Sequence, residues 1–205
     1  MSGDIEILYV DKSNDESNST VLVFAKPTEL NSNSFSQAWQ VIENIGYNSW
    51  HKFFYTSNTE IQALWDNGRS GTFPIEAVVG KNYSLKETPS GFALEEDGTS
   101  SAPNQFSVTN QVSTPGGISV VALKDGKPIA IAYGVSREEK AEFEFNLQPK
   151  IYFGVVSQQK GDVVDSTVMS ELKEVSLEGL ANVTVTMKGD AANGYTFEVS
   201  DTVAA

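Results

Sequence analysis

Ile118-Ser-Val-Val-Ala-Leu-Lys-Asp125-Gly126-Lys-Pro-Ile-Ala-Ile-Ala-Tyr133 carries the strongest fold signal in the chain. An Asp-Gly pair between two apolar runs marks a β-hairpin with a two-residue loop, because both loop positions need positive φ. Such a loop sets Lys124 opposite Lys127. One face then holds the pairs Ala122/Ile129, Val120/Ile131 and Ile118/Tyr133, and it reads as core. The other holds Ser119, Val121, Ala130 and Ala132, which are small and uncharged. A solvated face normally carries charge, so these four are a candidate assembly face, covered either by the chain's own elements or by a second subunit.

Outward from this hairpin almost everything reads as short strands. Runs near 5–10, 20–25, 51–56, 59–65, 73–79, 82–87, 91–96, 105–112, 117–124, 128–134, 141–147, 150–157, 172–178, 182–188 and 194–200 have strand character. Asn67-Gly68, Asp97-Gly98 and Asn193-Gly194 supply turn signals between them. Alternation is clean where Phe143, Phe145 and Leu147 oppose Glu142, Glu144 and Asn146. It recurs for Val183, Val185 and Met187 against Asn182, Thr184 and Thr186, and for Tyr195, Phe197 and Val199 against Thr196, Glu198 and Ser200. One wet and one dry face per strand predicts an antiparallel β-sandwich of jelly-roll or immunoglobulin-like type. One helix is predicted over 34–45: Ser34 and Gln37 form a capping box, Phe35, Ala38, Trp39, Ile42 and Ile45 share a stripe, and Gly46 follows. The expectation is a single domain over 1–205, with Thr114-Pro-Gly-Gly117 the best boundary between halves and no convincing internal repeat.

The chain has 205 residues, 40% hydrophobic and 20% charged, with a net charge of -13. That composition reads as globular and is large enough to bury a core without disulfides. The acidic balance disfavours nucleic acid and anionic membranes as partners. No run approaches the roughly 18 apolar residues of a membrane span. Met1-Ser-Gly-Asp-Ile-Glu-Ile-Leu-Tyr-Val10 has no basic, then apolar, leader, so a cytoplasmic protein is expected.

There is no cysteine and one histidine, His51. Thiol catalysis, thiolate metal sites and multi-histidine metal sites are excluded by inventory. Gly117-Ile-Ser119-Val-Val121 lacks the last glycine of a nucleophile elbow. Asp11-Lys-Ser13-Asn-Asp15 begins like a calcium loop but has Glu16 where glycine and Leu22 where glutamate are required. Gly80-Lys81-Asn82 is not a phosphate loop. The acidic stretches Glu95-Glu96-Asp97 and Asp162 to Asp165 read as solvated loops, and Glu76 as an outward strand residue. No metal, no cofactor and no catalytic residue is therefore assigned.

The densest aromatic cluster is Gly46-Tyr-Asn-Ser-Trp-His-Lys-Phe-Phe-Tyr55. As a strand it sets Trp50 and Phe54 on one face and His51, Phe53 and Tyr55 on the other. It is either a strand buried on both sides or a stacking platform for a planar ligand such as a sugar. The platform version uses Tyr47, Trp50, His51, Tyr55 and Trp65. Four functions follow as expectations: a non-enzymatic protein that assembles with itself or binds another protein, a lectin-like carbohydrate-binding module, a hydrolase centred on His51 or a carboxylate pair, and, as a minor alternative, a β-rich pore former. The last would insert Ser107-Val-Thr-Asn-Gln-Val-Ser113 as a hairpin, a stretch short of the roughly 9–11 residues a spanning strand needs.

Overall fold

The computed structural model describes residues 4–16, 19–25, 34–144, 149–156 and 172–204, with backbone alone for Asp201 and Ala204. In chain order the strands are β1 (Ile5–Asp11), β2 (Thr20–Phe24), β3 (Ser34–Ser36), β4 (Gln40–Ile42), β5 (Trp50–Tyr55) and β6 (Glu60–Trp65). Then come β7 (Ser70–Gly71), β8 (Ile75–Glu76), β9 (Lys81–Thr88), β10 (Gly91–Thr99), β11 (Gln105–Asn110) and β12 (Ile118–Lys124). The rest are β13 (Lys127–Val135), β14 (Lys140–Glu144), β15 (Lys150–Val156), β16 (Lys173–Ser176), β17 (Leu180–Asp190) and β18 (Gly194–Ala204). The described residues are thus mainly β, in several sheets, none closed into a barrel.

The chain divides into two compact units. Unit 1 comprises Met1–Ala25, Ala38–Ser57 and Gln148–Ala205, and unit 2 comprises Lys26–Gln37 and Asn58–Leu147. The Thr114–Gly117 turn lies inside unit 2 and leads into β12.

Unit 1 contains two four-stranded sheets, ordered β18-β17-β1-β5 and β16-β15-β2-β4. Ile5, Ile7, Tyr9, Val183, Val185 and Met187 are buried on one face of the first sheet, as the alternation of β1 and β17 requires. Rings from the two sheets meet over them. Phe153 of β15 lies 6.4 Å from Tyr9, 6.5 Å from Phe53 and 5.4 Å from Phe197, centroid to centroid.

Unit 2 contains a sheet ordered β10-β9-β11-β14 and a second ordered β3-β13-β12-β6-β7, with β8 also on β6. Leu85, Phe106, Val108 and Phe143 of the first sheet and Ile61, Ala63, Val120, Ala122 and Ala130 of the second are buried.

Three features differ from the sequence-based expectation. The first is the helix. No helix forms over 34–45. β3 pairs with β13, with Phe35 opposite Ile131, and β4 pairs with β2, with Val41 opposite Leu22. Between them the Gln37 N–H donates to the Ile129 carbonyl (2.9 Å) and the Trp39 N–H to the Val23 carbonyl (2.8 Å). Each backbone donor here satisfies a strand edge that a helix would leave bare. The supposed apolar stripe is also broken, since Trp39 and Ile42 are buried but Phe35 is 54% exposed.

The second is strand direction. The sheets are not purely antiparallel: β1 runs parallel to β17, and β11 runs parallel to β9.

The third is the register of the β12–β13 hairpin. Asp125 and Gly126 do have positive φ, 53° and 69°. Lys124 does face Lys127, but a bulge follows, so Ala122 faces Ala130, Val121 faces Ile131 and Val120 faces Ala132. One extra residue, Ile129, moves the rest of β13 to the opposite face. Likewise Asp97-Gly98 is no turn: it lies within β10 at a register shift between Glu96 and Thr99.

The two units share one set of strand connections. In unit 1 a hairpin (β17–β18) joins in parallel to β1, which pairs with β5. In unit 2 a hairpin (β9–β10) joins in parallel to β11, which pairs with β14. In the second sheets β15 pairs with β2 and β2 with β4, while β6 pairs with β12 and β12 with β13.

Individual bonds match as well. Asn48 N–H donates to the Asp11 carbonyl and Asp11 N–H to that of Ser49, as Glu138 N–H does to Asn110 and Asn110 N–H to Glu139. Asn48 and Glu138 share a left-handed φ, 64° and 66°. Lys12 N–H donates to Met187 as Gln111 N–H does to Leu85, and Leu177 N–H to Pro149 as Ala77 N–H does to Thr59.

The described strands therefore form two structural repeats, β1–β10 and β11–β18. Unit 1 combines the first half of repeat one with the second half of repeat two. Unit 2 combines the remaining halves.

Candidate functional site

Among the described residues strand β5 is the terminal strand of its sheet in unit 1, next to β1. Its odd residues face inward. Phe53 is buried, Tyr55 sits edge-on to Trp39 (5.8 Å), and His51 lies 6.0 Å from Phe53. Burial pushes the Tyr55 phenol up to about 12. His51 and Tyr55 therefore belong to the packed face.

The even residues face outward. Trp50 is 62% exposed and Phe54 49% exposed, with Lys52 between them. Across the register, Trp50 faces Val10, Lys52 faces Leu8 and Phe54 faces Glu6. Beyond them lie Thr186, Thr184 and Asn182 of β17. Lys52 pairs with Glu6 at 3.0 Å, so this patch is apolar and hydroxylic with its one ion pair internally matched. Tyr47, in the turn that feeds β5, is 67% exposed, with the Lys12 ammonium 5.8 Å from its ring centroid. Lys12 also donates to the Asn48 side chain, which holds that turn against the end of β1.

Of the five predicted platform residues, Tyr47 and Trp50 are thus exposed on neighbouring positions and His51 and Tyr55 point inward. Trp65 is in unit 2, edge-on to Phe92 at 5.2 Å. Phe54 belongs to the outward row.

The four predicted assembly residues are divided by the β13 bulge. Ala130 and Ala132 are buried opposite Ala122 and Val120. Val121 lies on the other side of the sheet, in a cluster with Leu123, Ile131 and the partly buried Leu64, and Ser119 is half-buried. On that same side Phe35 and Tyr133 contact each other at 5.9 Å, both about half exposed.

The strand of unit 2 equivalent to β5 is β14, and the contrast is chemical. Where β5 presents Trp50, Lys52 and Phe54, β14 presents Lys140, Glu142 and Glu144. Phe53 and Phe143 occupy the same inward position, opposite Ile7 and Phe106. A signal for this was available in the sequence: Gly46 to Tyr55 aligns without gaps on Ser136 to Phe145, with Phe53 on Phe143. It is too sparse to find before the strand connections are known.

A second unequal pair sits at the ends of β1 and β11. Asn110 accepts the Val112 N–H through Oδ1 (3.0 Å) and donates through Nδ2 to the Val135 carbonyl (2.8 Å). Asp11 accepts the Ser13 N–H and hydroxyl through Oδ1, both at 2.7 Å, but its buried Oδ2 has no hydrogen-bond partner. Nearby, Asp15 accepts from the Tyr195 hydroxyl (2.8 Å). Burial, then Asp11 and Asp15, hold the Tyr9 phenol well above its ordinary range.

Among the described residues no group of three or more His, Cys, Asp or Glu side chains could hold a metal. Nor is any helix long and apolar enough to cross a membrane. The stretch Asp162 to Asp165 lies outside the described residues. No family model matches the chain, and neither does any curated protein or any solved structure.

Proposed function

We propose that this is a non-enzymatic protein built from two-layer β-sandwich units, and that it acts by binding a protein partner, in the first instance a second copy of itself. The observation that supports this is the inequality of β5 and β14. Charged side chains are the usual protection of a terminal strand against unwanted pairing. β14 follows that rule with Lys140, Glu142 and Glu144. At the same positions β5 replaces the charges at both ends with Trp50 and Phe54. Exposed aromatics on such a strand favour association, because they bury large area at low entropic cost.

The test exchanges the two strands' surface chemistry. Trp50→Lys with Phe54→Glu gives β5 the residues that β14 carries at the equivalent positions, so the fold should survive. Sedimentation velocity over a wide concentration range should show wild-type self-association and a monomeric double variant. A wild-type chain that stays monomeric at every concentration defeats the self-assembly reading.

A second reading rests on the exposure of Trp50 and Tyr47: these rings would stack on a sugar, with Asn48 and Lys12 as polar neighbours. Glycan-array signal that Trp50→Ala abolishes would favour it. An array without signal would remove it.

A further inference from the structure

We infer that the C-terminal segment Lys150–Ala204 can leave its own chain and complete unit 1 of a second copy, so that the protein has a segment-exchanged oligomeric form. This goes beyond the β5 proposal and does not use Trp50 or Phe54.

Unit 1 is held together without local continuity. Its core is assembled from the two ends of the chain: β1 pairs with β17, and β2 with β15. Ile7, Tyr9, Val21 and Val23 from one end, and Ile151, Phe153, Val183 and Val185 from the other, are all buried. Neither end can bury these side chains alone. Each needs a complement, but nothing in the pairing requires the complement to come from the same chain.

Unit 2 shows that the interface is a general one. The same parallel junction and the same second-sheet junction recur there between β9 and β11 and between β6 and β12. The repeats have thus already exchanged halves within one chain.

The connections say which segment moves. The N-terminal part of unit 1 is joined to unit 2 at three places, after Ala25, before Ala38 and after Ser57, whereas the C-terminal part is joined at one, between Leu147 and Gln148. Only one connection must re-route for 150–204 to reach another molecule. Exchange conserves the β1–β17 and β2–β15 pairings, so its main cost is the loss of intramolecular closure, an effective concentration on the order of 1 mM for short linkers. The exchanged form is expected after unfolding and refolding together at protein concentrations near that value, and the closed monomer on dilute refolding.

The absence of cysteine makes the test clean. Leu8 and Thr184 face each other across β1 and β17. The double variant Leu8→Cys with Thr184→Cys should form a disulfide within one chain after dilute refolding. A chain carrying Leu8→Cys alone is then mixed with a longer, tagged chain carrying Thr184→Cys alone, and the two are unfolded and refolded together. A mixed disulfide of the two masses on a non-reducing gel supports exchange. Its absence, with the double variant cross-linking normally, overturns it.

Val10 and Thr186 provide a second register pair. If neither double variant cross-links, β1 does not pair with β17 and the inference falls with that pairing. Adding Trp50→Lys and Phe54→Glu to both chains separates the two proposals. Exchange should persist, while loss of the mixed disulfide in that background would assign association to β5 alone.

Discussion

Units 1 and 2 connect their strands in the same order around each sheet, yet they spend their polar residues differently. In unit 2 the terminal strand β14 is charged, the buried amide of Asn110 is satisfied on both sides, and the buried Lys124 donates to the Asn58 carbonyl at 3.1 Å. In unit 1 the terminal strand β5 is aromatic, Asp11 keeps an unpartnered buried oxygen, and the phenol of Tyr9 stands where unit 2 has Val108. Shared connections with unshared side chains separate what the fold requires from what has been added to it. The inward Phe53 and Phe143 belong to the first class. Trp50, Phe54 and Asp11 belong to the second.

The largest expected effect tests the shared class. Phe53→Ala and Phe143→Ala should each cost about 3–5 kcal/mol, the usual loss for a large buried ring. Phe143, fully buried, should sit at the upper end. Urea unfolding followed by tryptophan fluorescence can assign each loss, since buried Trp39 reports on unit 1 and Trp65 on unit 2. A loss below about 1 kcal/mol at either position would break the equivalence of β5 and β14, because a truncated core ring leaves a cavity that relaxes only in part.

The next effect is smaller and sets the units against each other in alkali. Burial holds the Lys124 ammonium down at about 8, against 10.5 for a free lysine. Between those values the unfolded chain binds the proton and the folded chain does not, so raising pH favours folding. Unit 2 should gain stability from pH 8 upward, by at most about 3 kcal/mol if the whole shift is realised. Lys124→Met should abolish this slope and raise the urea midpoint at pH 7.

Unit 1 should respond in the opposite sense. Tyr9 and Tyr55 hold their protons in the folded state above the ordinary phenol range, Tyr55 to about 12. The unfolded chain releases them first, so stability falls above pH 10. A wild-type midpoint that is flat from pH 7 to 10, with Lys124→Met behaving identically, would show that Lys124 is not held neutral.

How much of this was legible follows from which signals are local. Strands such as β17 and β18 announce themselves, because Val183, Val185 and Met187 repeat at period two over a length that leaves no other register. The stretch 34–45 misleads because β3 and β4 are only three residues each. Segments that short carry no period of their own, and Phe35, Trp39 and Ile42 fall at helical spacing across two strands that belong to different sheets. The hairpin at Asp125-Gly126 fixed a single cross-strand pair, and the bulge at Ile129 then reassigned Ala130 and Ala132 to the core.

The repeat left faint traces. Gly91-Phe-Ala-Leu-Glu95 answers to Gly194-Tyr-Thr-Phe-Glu198, and Leu85-Lys86 to Met187-Lys188. These resemble any alternating strand after a glycine turn, so only the matched hydrogen bonds identify them as equivalent. For the candidate site, the aromatic cluster at 47–55 was visible as composition. Which of its rings face outward depended on β5 being terminal in its sheet, and that is set by β1, far away in sequence.

The smallest effects come from exchanging the buried polar residues at the equivalent ends of β1 and β11. Asn110→Asp should destabilise unit 2 by about 1–3 kcal/mol, because the new oxygen replaces an amide that donates to the Val135 carbonyl and puts two acceptors face to face. Asp11→Asn should stabilise unit 1 by about 1 kcal/mol, since a neutral amide replaces a buried carboxylate oxygen without a donor, while Oδ1 keeps the Ser13 bonds. The two substitutions lie in different units, so their effects should add. Urea midpoints of both single variants and the double variant measure all three numbers.

The informative result would be a loss on Asp11→Asn. Unit 2 proves that an asparagine satisfies the turn at this point of the fold, so a loss could not be charged to the backbone. It would mean that the carboxylate at Asp11 stabilises unit 1 through its charge, and the pairing of Asp11 with Asn110 would then join Trp50 and Lys140 among the positions where one fold serves two purposes.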